Sequence, residues 1–469
     1  MEVSPELQAL IEGLRSEIAA LKQEVADLRR QLGKDSHNSS KPPSSDGLGK
    51  KPRIAGSLRG ATGSSEKKSG GQAGHKGDTL RRVDTPDVIK RHNASCCAHC
   101  RAKLTAAMAS GVEKRQVFDL PEPRLEVTEH QAQIYTCAHC HGATKAAFPE
   151  GVTSPVQYGA RIKAAAIYLN AQQLIPEDRV AEVMGDLFGA GLLCPASVAA
   201  WAMAKAEELK PFAAHIASLV VQAPVRHLDE TGFRIGGKTQ WLHTASTLAL
   251  THYRVAEKRG AVPATLTGGI VVHDHFKPYY ALPNVDHALC NAHHLRELKA
   301  LIEIEKEPWA KRMYRVLLKA NKAVKRAVEK DITALPDRVL RRLMVLYDGL
   351  ISLGLAFHER QPKLLRRAGA RGKIPRRPGH NLLIRFRDFK ADVLRFAANF
   401  KVPFTNNLVE QDIRMMKVKM KISGGFRTRA GAETFAALRS VISTARKQGW
   451  SILKTLSAPS NTLIGALSV

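Results

Sequence analysis

The middle of the chain constrains the fold more than any other part, because an alternation typical of β-strands begins there. From residue 223 onward, three runs that alternate apolar and polar residues are joined by short turns: VRHLDETGFRI, KTQWLHTASTL and LTHYRVAEKR. Gly236 and Gly237 supply the first turn, since glycine adopts the positive φ angles of a tight hairpin. A fourth run, GGIVVHDHF, is typical of a buried strand, and HALCNAHHLRELKALIEI predicts the start of the next helix.

A three-stranded meander followed by a parallel strand and helices predicts a ribonuclease-H-like sheet. In that fold one acid lies on the first strand and another ends the fourth, and Asp229 and Asp274 occupy those positions. Glu410 lies far downstream, near the start of a basic helix in NNLVEQDIRMMKVKMKISGGFR. Carboxylates are the hard ligands that two Mg²⁺ or Mn²⁺ ions, about 3.5–4 Å apart, need to act on a phosphodiester. We therefore predict that Asp229, Asp274 and Glu410 are the catalytic metal ligands of a polynucleotidyl transferase, with Asp229 bridging the two ions.

The third acid requires a choice between Glu410 and Asp412. These residues are two apart on a helix, so their side chains face different ways. Glu410 is followed by three cations at spacings of four, three and four residues, which places a metal ligand at one end of a phosphate-binding stripe. We therefore favour Glu410, with Asn406 or Asn407 as the cap of the helix. The cations that we predict to bind DNA are Arg414, Lys417 and Lys421.

Several neighbours of these acids fit either a supporting role or ordinary packing. Strand alternation turns Glu230 away from Asp229. The histidines near the strand ends leave both interpretations open: His227, His273 and His275. A Cys-x2-His pair opens the helix after the fourth strand, but two soft ligands are a weak indication of zinc. We predict that this helix packs beside the active site and supports it through three residues: Cys290, His293 and Arg296.

Two Cys-x2-Cys pairs upstream predict one structural zinc ion. Each pair places two thiolates on a cation from a tight turn, and two pairs complete a closed tetrahedral site. Between the pairs, RLEVTEHQAQIYTC alternates like a strand that leads into the second pair. Alternative ligands are Cys96, His99 and His139, and a redox motif is the alternative function. The predicted zinc ligands are Cys97, Cys100, Cys137 and Cys140.

The charge of the chain indicates a polyanionic partner. Lys and Arg total 72 against 43 Asp and Glu, which gives a formal net charge of +29. Double-stranded DNA is the simplest partner for such a charge. A membrane surface is the alternative, but no apolar run is long enough to span a bilayer. The N-terminus MEVSPELQAL also lacks the basic start and apolar core of a secretory signal, which favours a cytoplasmic, nucleoid-associated protein.

Three further segments precede the strand-rich region. Residues 5–33 repeat apolar side chains in steps of four and three, which predicts a self-associating coiled coil; packing on the chain's own domain is the alternative. Residues 34–92 are rich in Ser, Gly, Lys and Pro and predict a flexible basic linker. Residues 155–222 contain three amphipathic runs that resemble a helix-turn-helix module, although a helical connector fits nearly as well. Cys194 in this region is expected to be a buried small residue.

Together these features predict a multidomain α+β protein. Its parts are an N-terminal coiled coil, a zinc ribbon, a helical DNA-binding region and a ribonuclease-H-like α/β catalytic domain with a helical insertion. The predicted boundaries are coiled coil 1–33, flexible basic linker 34–92, zinc ribbon 93–150, helical DNA-binding domain 151–222, first catalytic part 223–300, helical insertion 301–400 and second catalytic part 401–469.

The segments around the predicted site resemble a known family. HLDETGFRIGGKTQWLH, VVHDHFKPYY, ALCNAHHLREL and NNLVEQDIRMMKVKMKISGGFRT are together similar to the insertion-sequence-66 family of bacterial DDE transposases. The likeness extends to the zipper, to the polar tract DSHNSSKPPSSDG and to the zinc ribbon. The resemblance implies that Asp229, Asp274 and Glu410 are the DDE triad. It also implies that Cys290 and His293 are the C-x2-H element that follows the second Asp in the family.

The resemblance also implies a reaction, which is Mg²⁺-dependent hydrolysis at transposon ends followed by attack of the freed 3′-hydroxyl on target DNA. Small accessory proteins of the element would then be partners. Gln411 departs from the family pattern, in which Arg follows the Glu, so a phosphate contact is missing there. Two alternatives stay open: a zinc-containing, sequence-specific DNA-binding regulator without catalysis, and a ribonuclease-H-like nuclease or resolvase. The three acids disfavour the regulator, and the coiled coil and zinc module favour a transposase, because pairing two DNA ends requires a multimer.

Overall fold

The protein was analysed in a computed structural model, which describes residues 4–39, 79–191, 193–365 and 373–467. Most of the predicted linker, from residue 40 to residue 78, lies outside the described residues. The chain divides into two compact units, one formed by residues 1–48 with 127–469 and the other by residues 49–126. Among the described residues, no helix is long and apolar enough to cross a membrane.

Helices account for most of the regular structure. In chain order, the α-helices of the described residues are α1 (Pro5–Leu32), α2 (Ala160–Ile167), α3 (Glu177–Phe188), α4 (Pro195–Glu208), α5 (Lys210–Gln222), α6 (Asn291–Ala300), α7 (Pro308–Val328), α8 (Asp337–Glu359), α9 (Pro378–Asp388), α10 (Lys390–Ala398), α11 (Asn407–Ser423), α12 (Arg429–Lys447), α13 (Ile452–Ser457) and α14 (Ser460–Ala466). The strands are β1 (Ile134–Thr136), β2 (Ala143–Lys145), β3 (Val225–Ile235), β4 (Lys238–Ser246), β5 (Thr251–Ala256), β6 (Ile270–His273) and β7 (Asp286–Leu289).

The larger unit contains a five-stranded mixed sheet with the order β5-β4-β3-β6-β7. β3, β4 and β5 form an antiparallel meander, and β6 and β7 continue the sheet beside β3 as parallel strands. The turn between β3 and β4 has φ angles of 53° at Gly236 and 79° at Gly237, as expected for a tight hairpin. The predicted meander and the predicted parallel strand are therefore confirmed.

Two predictions about strands are wrong. The segment before Cys290 was expected to be helical, but Asp286–Leu289 forms β7 and the helix begins only at Asn291. Four residues are too few for periodicity to separate a strand from a helix. The predicted strand over RLEVTEHQAQIYTC is reduced to the three residues of β1, which pair with β2. The residues before β1 have no ladder partner among the described strands, so their alternation alone does not form a strand.

Helices of the larger unit cover the sheet and close its edges. α11 packs on β3 and β4, and α12 packs on the edge strand β5. The backbone N–H groups of Thr251 and Tyr253 in β5 donate to the hydroxyls of Thr444 and Ser440 in α12, at 3.1 and 2.9 Å. These contacts satisfy donors that an exposed edge would leave unpaired.

The predicted helical insertion shares a core with the parallel side of the sheet. Val272 of β6 and Leu289 of β7 belong to one buried cluster with Trp309 and Met313 of α7 and Leu382 of α9. α10 also packs directly on β7. The insertion therefore supports the two strands that end at the predicted site.

The N-terminal segment is a single long helix, as predicted. Ser4 caps α1 by accepting the N–H of Leu7 at 3.4 Å, and Gly33 ends it. No residue of α1 is buried, and the apolar side chains of the heptad stripe are exposed. Near its end, Arg30 forms an ion pair with Glu305 at 2.5 Å. The stripe is available for self-association, which stays a prediction.

The helical region before the sheet contains four helices. The third predicted run is divided into α4 and α5 at Leu209, because Pro211 begins a new helix there. A buried cluster joins α2, α3 and α4 through residues that include Val180, Met184 and Val198. Cys194, which was expected to be buried, is exposed just before α4.

Candidate active site

Asp229 and Asp274 lie on neighbouring parallel strands. His227 of β3 pairs with Val272 of β6 in the parallel register. Asp229 lies within β3, two residues after His227, and Asp274 directly follows β6, two residues after Val272, so the two acids lie at the same level of adjacent strands. Neighbouring strands are about 4.8 Å apart, which brings the two residues close together where β6 ends.

Asp229 is surrounded by like charges. Burial, with the charges of Glu230, Asp274 and Glu410, raises the pKa of Asp229 to about 8. One hydrogen bond opposes this rise, in which the backbone N–H of Glu230 donates to Asp229 Oδ1 at 2.9 Å. Such a group of carboxylates repels itself unless protons or cations are bound to it. The structure thus brings all three predicted acids within electrostatic reach of one another.

Glu410 lies in the first turn of α11 with one oxygen that has no partner. Glu410 Oε1 and His293 Nδ1 are both buried atoms without a hydrogen bond among the described residues, and they lie 3.8 Å apart. Burial, and then the charge of Arg296, lowers the pKa of His293. A neutral imidazole beside an unpaired carboxylate leaves the oxygen available to a cation.

Asn406 joins the helix of Glu410 to the strand of Asp229. It is 1% exposed. Its side-chain Oδ1 lies 2.8 Å from His227 Nδ1, and its Nδ2 donates to the backbone oxygen of Leu228 at 2.9 Å. The prediction that its side chain caps α11 is wrong, because the strand uses both of its polar atoms and no side-chain cap is present at this helix. Asn406 instead fixes the start of α11 next to Asp229.

Asp412 is held in a complete hydrogen-bond network. Its Oδ2 accepts from Ser246 Oγ at 2.7 Å, from Thr251 Oγ1 at 3.0 Å and from Lys447 Nζ at 2.7 Å. Its backbone oxygen accepts from the Tyr253 hydroxyl at 2.8 Å. Asp412 therefore ties α11 to β4, β5 and α12, and its side chain lies away from the unpaired groups around Glu410.

Glu230 is also bound by its own partners, on the other face of β3 from Asp229. Its carboxylate accepts from the Tyr279 hydroxyl and from Arg259, at 2.9 Å from Nε and 2.8 Å from Nη2. The Arg259 guanidinium also lies over the rings of Phe276 and Trp241, at 4.3 and 5.2 Å from their centroids. Arg259 was not predicted from the sequence, because no motif surrounds it. Only the tertiary fold brings it next to Glu230.

A cavity of about 230 Å³ opens beside Asp274 and His293. Within its lining, Arg385 forms an ion pair with Glu297 at 2.7 Å. Arg296, a predicted supporting residue, has a buried Nε without a hydrogen-bond partner among the described residues. The cavity is lined by Arg259, Asp274, His275, Phe276, His293, Glu297 and Arg385. Two arginines, two histidines and acids thus surround a space into which a phosphate group can enter.

The predicted cationic stripe of α11 is exposed. Arg414, Lys417 and Lys421 lie on the solvent side of the helix, whereas Lys419 is buried. Glu410 lies at the N-terminal end of the same face. The side chains are free to reach a polyanion, and their contact with DNA stays a prediction.

Surface charge differs strongly between the two helical regions. α7 exposes Lys or Arg at seven positions and contains no Asp or Glu: Lys311, Arg312, Arg315, Lys319, Lys322, Lys325 and Arg326. In contrast, α3 and α4 carry six acids against two cations, and the acids are Glu177, Asp178, Glu182, Asp186, Glu207 and Glu208. A phosphate backbone is attracted to the first surface and repelled by the second. DNA contact through α3 and α4 stays a prediction, and the acidic charge of these helices disfavours it.

Each Cys-x2-Cys pair forms a tight turn within its own unit. The N–H of Arg101 donates to the Cys97 oxygen at 2.9 Å, and the N–H of His141 donates to the Cys137 oxygen at 2.9 Å. Both turns end on a residue with a φ of 57°. Backbone N–H groups also lower the pKa of each leading thiol: those of Cys100 and His99 act on Cys97, and those of Cys140 and His139 act on Cys137. Both turns fit the thiolate form that binds zinc.

Three segments of the chain match models of known protein families. Residues 155–434 match the model of a family described as Transposase IS66 family. Residues 94–141 match the zinc-finger binding domain of transposase IS66, and residues 2–81 match a family of unknown function. The first match covers more than half of the chain and includes all three predicted acids. No curated protein matches the chain.

Proposed function

Because the chain belongs to the IS66 transposase family and carries the zinc-finger domain of that family, we propose that it is a DDE transposase. It would cut DNA at transposon ends and join the freed 3′-hydroxyl to target DNA. Its place of action would be the bacterial nucleoid. The observation that carries this proposal is geometric: the parallel register of β3 and β6 places Asp229 and Asp274 at the same level of adjacent strands, and the nearby Glu410 has a buried Oε1 without a hydrogen-bond partner among the described residues.

The sheet supports a ribonuclease-H-like fold for the catalytic domain. Its order β5-β4-β3-β6-β7, with an antiparallel meander and two parallel strands, is the order expected for that fold. We propose that residues 223–300 and 401–469 form this domain and that residues 301–400 are inserted into it. α7 shares a buried core with the parallel strands, which supports an insertion that packs directly on the catalytic domain.

The donor set fits two Mg²⁺ or Mn²⁺ ions. Asp229, Asp274 and Glu410 offer only oxygen atoms, which hard divalent ions prefer. Glu410 Oε1 is buried without a partner, and mutual repulsion penalises the carboxylates when no cation is present. When bound, the metal ions would activate the attacking oxygen and neutralise charge on the leaving oxygen.

The residues around these acids would position the DNA. Arg259 is held by Glu230 and by two aromatic rings, so its guanidinium is fixed at the cavity that also contains Asp274. A fixed guanidinium is suited to bind a phosphate oxygen. Asn406 holds the start of α11, and with it Glu410, next to Asp229 through its contacts with the His227 side chain and the Leu228 oxygen of β3. No side chain acts as a nucleophile, since water and then the 3′-hydroxyl attack.

Recognition would be distributed over several segments. We propose that the stripe Arg414, Lys417 and Lys421, together with the basic face of α7, binds the phosphates of double-stranded DNA. Cys97, Cys100, Cys137 and Cys140 would hold one structural zinc ion that fixes the zinc-finger domain. The exposed heptad stripe of α1 would pair two copies, so that two transposon ends can be held together. Accessory proteins of the element would join this assembly.

The decisive experiment compares Asp229→Asn with the wild type in a strand-cleavage and strand-transfer assay that contains Mg²⁺. We expect a loss of about 100-fold or more, equivalent to about 3 kcal/mol of transition-state stabilisation, with DNA binding retained. The matched control is Asp337→Asn, which makes the same change at an exposed carboxylate in α8. Equal activity of Asp229→Asn and wild type would refute the mechanism. Binding without any cleavage by the wild type would instead favour a zinc-containing regulator.

A further inference from the structure

Cys290, His293 and Glu410 form a group that the proposed Mg²⁺ chemistry does not fully use. One ligand atom from each of these residues lies within 4.8 Å of the other two. Cys290 lies between β7 and α6 as the N-cap of α6, His293 lies in the first turn of α6, and Glu410 lies in α11. Sulfur, nitrogen and oxygen therefore converge from three elements on one point.

Burial raises the pKa of the Cys290 thiol to about 11, and backbone N–H groups on the protein side of the sulfur oppose that rise. Cys290 is 1% exposed, and its Sγ accepts the backbone N–H of Asn406 at 3.1 Å. The backbone N–H groups of Ala292 and His293 also point to this sulfur. Backbone N–H groups make the same kind of contact with the leading cysteines of the two Cys-x2-Cys turns. Backbone N–H donors thus surround the Cys290 sulfur on one side. On the side that faces His293 and Glu410, a cation would be the complementary partner.

The other two ligand atoms are unsatisfied. His293 Nδ1 and Glu410 Oε1 are buried, and neither has a hydrogen bond among the described residues. A buried polar atom without a partner is unfavourable, because it has lost its hydrogen bonds to water. Their separation of 3.8 Å is close to the spacing of about 3.5 Å between ligands around a tetrahedral zinc ion with bonds of about 2.0–2.3 Å. A small inward movement of the three side chains would complete the site.

We propose that Cys290, His293 and Glu410 bind a borderline-soft divalent ion such as Zn²⁺, and that this ion withdraws Glu410 from the Mg²⁺ site. A thiolate and an imidazole favour Zn²⁺ over Mg²⁺. Three protein ligands leave a fourth position open toward the cavity that His293 lines, which provides an entry path. Zn²⁺ is therefore an antagonist of the Mg²⁺-dependent reaction, and this second part rests on the proposed function.

The binding test counts zinc in the full-length protein after dialysis against Zn²⁺, by plasma mass spectrometry. We expect two equivalents in the wild type, one at the four-cysteine site and one at the new site, and one equivalent in Cys290→Ser and in His293→Gln. The control Cys194→Ser, which changes an exposed cysteine elsewhere, keeps two equivalents. Circular dichroism checks that each variant is folded, and His293→Gln keeps the test valid if Cys290→Ser does not fold.

A spectroscopic measurement identifies the ligand. Co²⁺ is added to protein whose four-cysteine site is already filled with zinc. We expect a sulfur-to-cobalt charge-transfer band that is absent in Cys290→Ser. A wild type that binds a single zinc ion, or a Cys290→Ser variant that still binds two, overturns the proposed site.

The antagonism is tested by adding one equivalent of Zn²⁺ to the Mg²⁺-dependent cleavage assay. We expect the wild-type rate to fall about 10- to 100-fold, the scale at which disturbance of metal-site residues acts. The ratio of rates with and without Zn²⁺ should be close to one in Cys290→Ser. Full activity of wild type that carries the second zinc ion overturns the antagonism. A protein that binds two zinc ions but never cleaves DNA contradicts the proposed function and leaves the zinc site supported.

Discussion

Two clusters of polar side chains, each with one carboxylate of α11, differ in their hydrogen bonds and in their charge. Glu410 lies among Asp229, Asp274 and His293, where one of its oxygens has no hydrogen bond among the described residues and like charges accumulate. Asp412, two residues later, has one oxygen that accepts three hydrogen bonds. A carboxylate with an unpaired oxygen, such as that of Glu410, is suited to bind a ligand. A carboxylate with several hydrogen bonds, such as that of Asp412, stabilises the fold. The number of partners at a carboxylate therefore separates a binding role from a structural role.

The largest expected effect is at Asp412. Replacing Asp412 by Ala should lower the free energy of unfolding by about 3–5 kcal/mol, because Lys447 would remain buried without its charged partner and would keep only the backbone oxygens of Thr247 and Leu250. Burial already lowers the pKa of Lys447. The midpoint of urea unfolding of the full-length protein measures the loss. The double variant with Lys447→Met should recover part of it, and a loss below about 1 kcal/mol would mean that the network is not structural.

The next largest effect is expected at Asn406, which fixes the start of α11 against β3. Asn406→Ala removes the bonds to His227 and to the Leu228 oxygen and should cost about 1–3 kcal/mol. Cleavage should fall as well, since Glu410 would no longer be fixed beside Asp229. The control is Asn407→Ala, because Asn407 is exposed. Equal effects of the two changes on unfolding would contradict the role assigned to Asn406.

A smaller effect is expected from the cations beyond Glu410. Alanine at Arg414, Lys417 or Lys421 should weaken DNA binding about equally for all sequences and reduce the salt dependence by about one unit of slope per residue. Stability should not change, because these side chains are exposed. Fluorescence anisotropy at several salt concentrations measures the slope. Gln411→Ala is the uncharged control on the same helix, and a slope that stays constant in all three variants would exclude phosphate contact.

The smallest effect is expected for a substitution of Glu410, measured as a change in the free energy of unfolding. Glu410→Gln should change the free energy of unfolding by no more than about 0.5 kcal/mol, since the replaced oxygen has no partner and a like charge is removed near Asp229. Unfolding by urea, compared directly with Asp412→Asn, measures the difference. A loss at Glu410 as large as that at Asp412 would remove the distinction between the two clusters.

The parts of the fold that follow from local pattern could be predicted from the sequence. Alternation and the Gly236-Gly237 turn predicted the meander, and the spacing of α11 residues separated the faces of Glu410 and Asp412. β7 could not be predicted, since its four residues carry no period and its stability comes from pairing with β6 and packing on α10. Local pattern also gave no indication that the third helical run would divide at Leu209.

The supporting contacts of the site depend on the tertiary fold. The sequence placed Asp229 on the first strand and Asp274 at the end of the fourth, but it did not place Arg259 or Asn406 beside them. Asn406 forms hydrogen bonds with residues 178 and 179 positions earlier in the chain. Glu230 forms hydrogen bonds with Tyr279 and Arg259, which lie in two separate segments of the chain. A capping interpretation of Asn406 was reasonable from its position and wrong in the structure, because a buried strand competes for the same polar atoms.

The long separation between Asn406 and its partners has a consequence for synthesis. Chains emerge from the ribosome from the N-terminus, and domains generally fold as they emerge. The strand with Asp229 is complete long before Asn406, which bonds to it from 178 residues downstream, is translated. A growing chain thus contains Asp229 and Asp274 while Glu410 is still missing. The proposed metal site would be completed only near the end of translation.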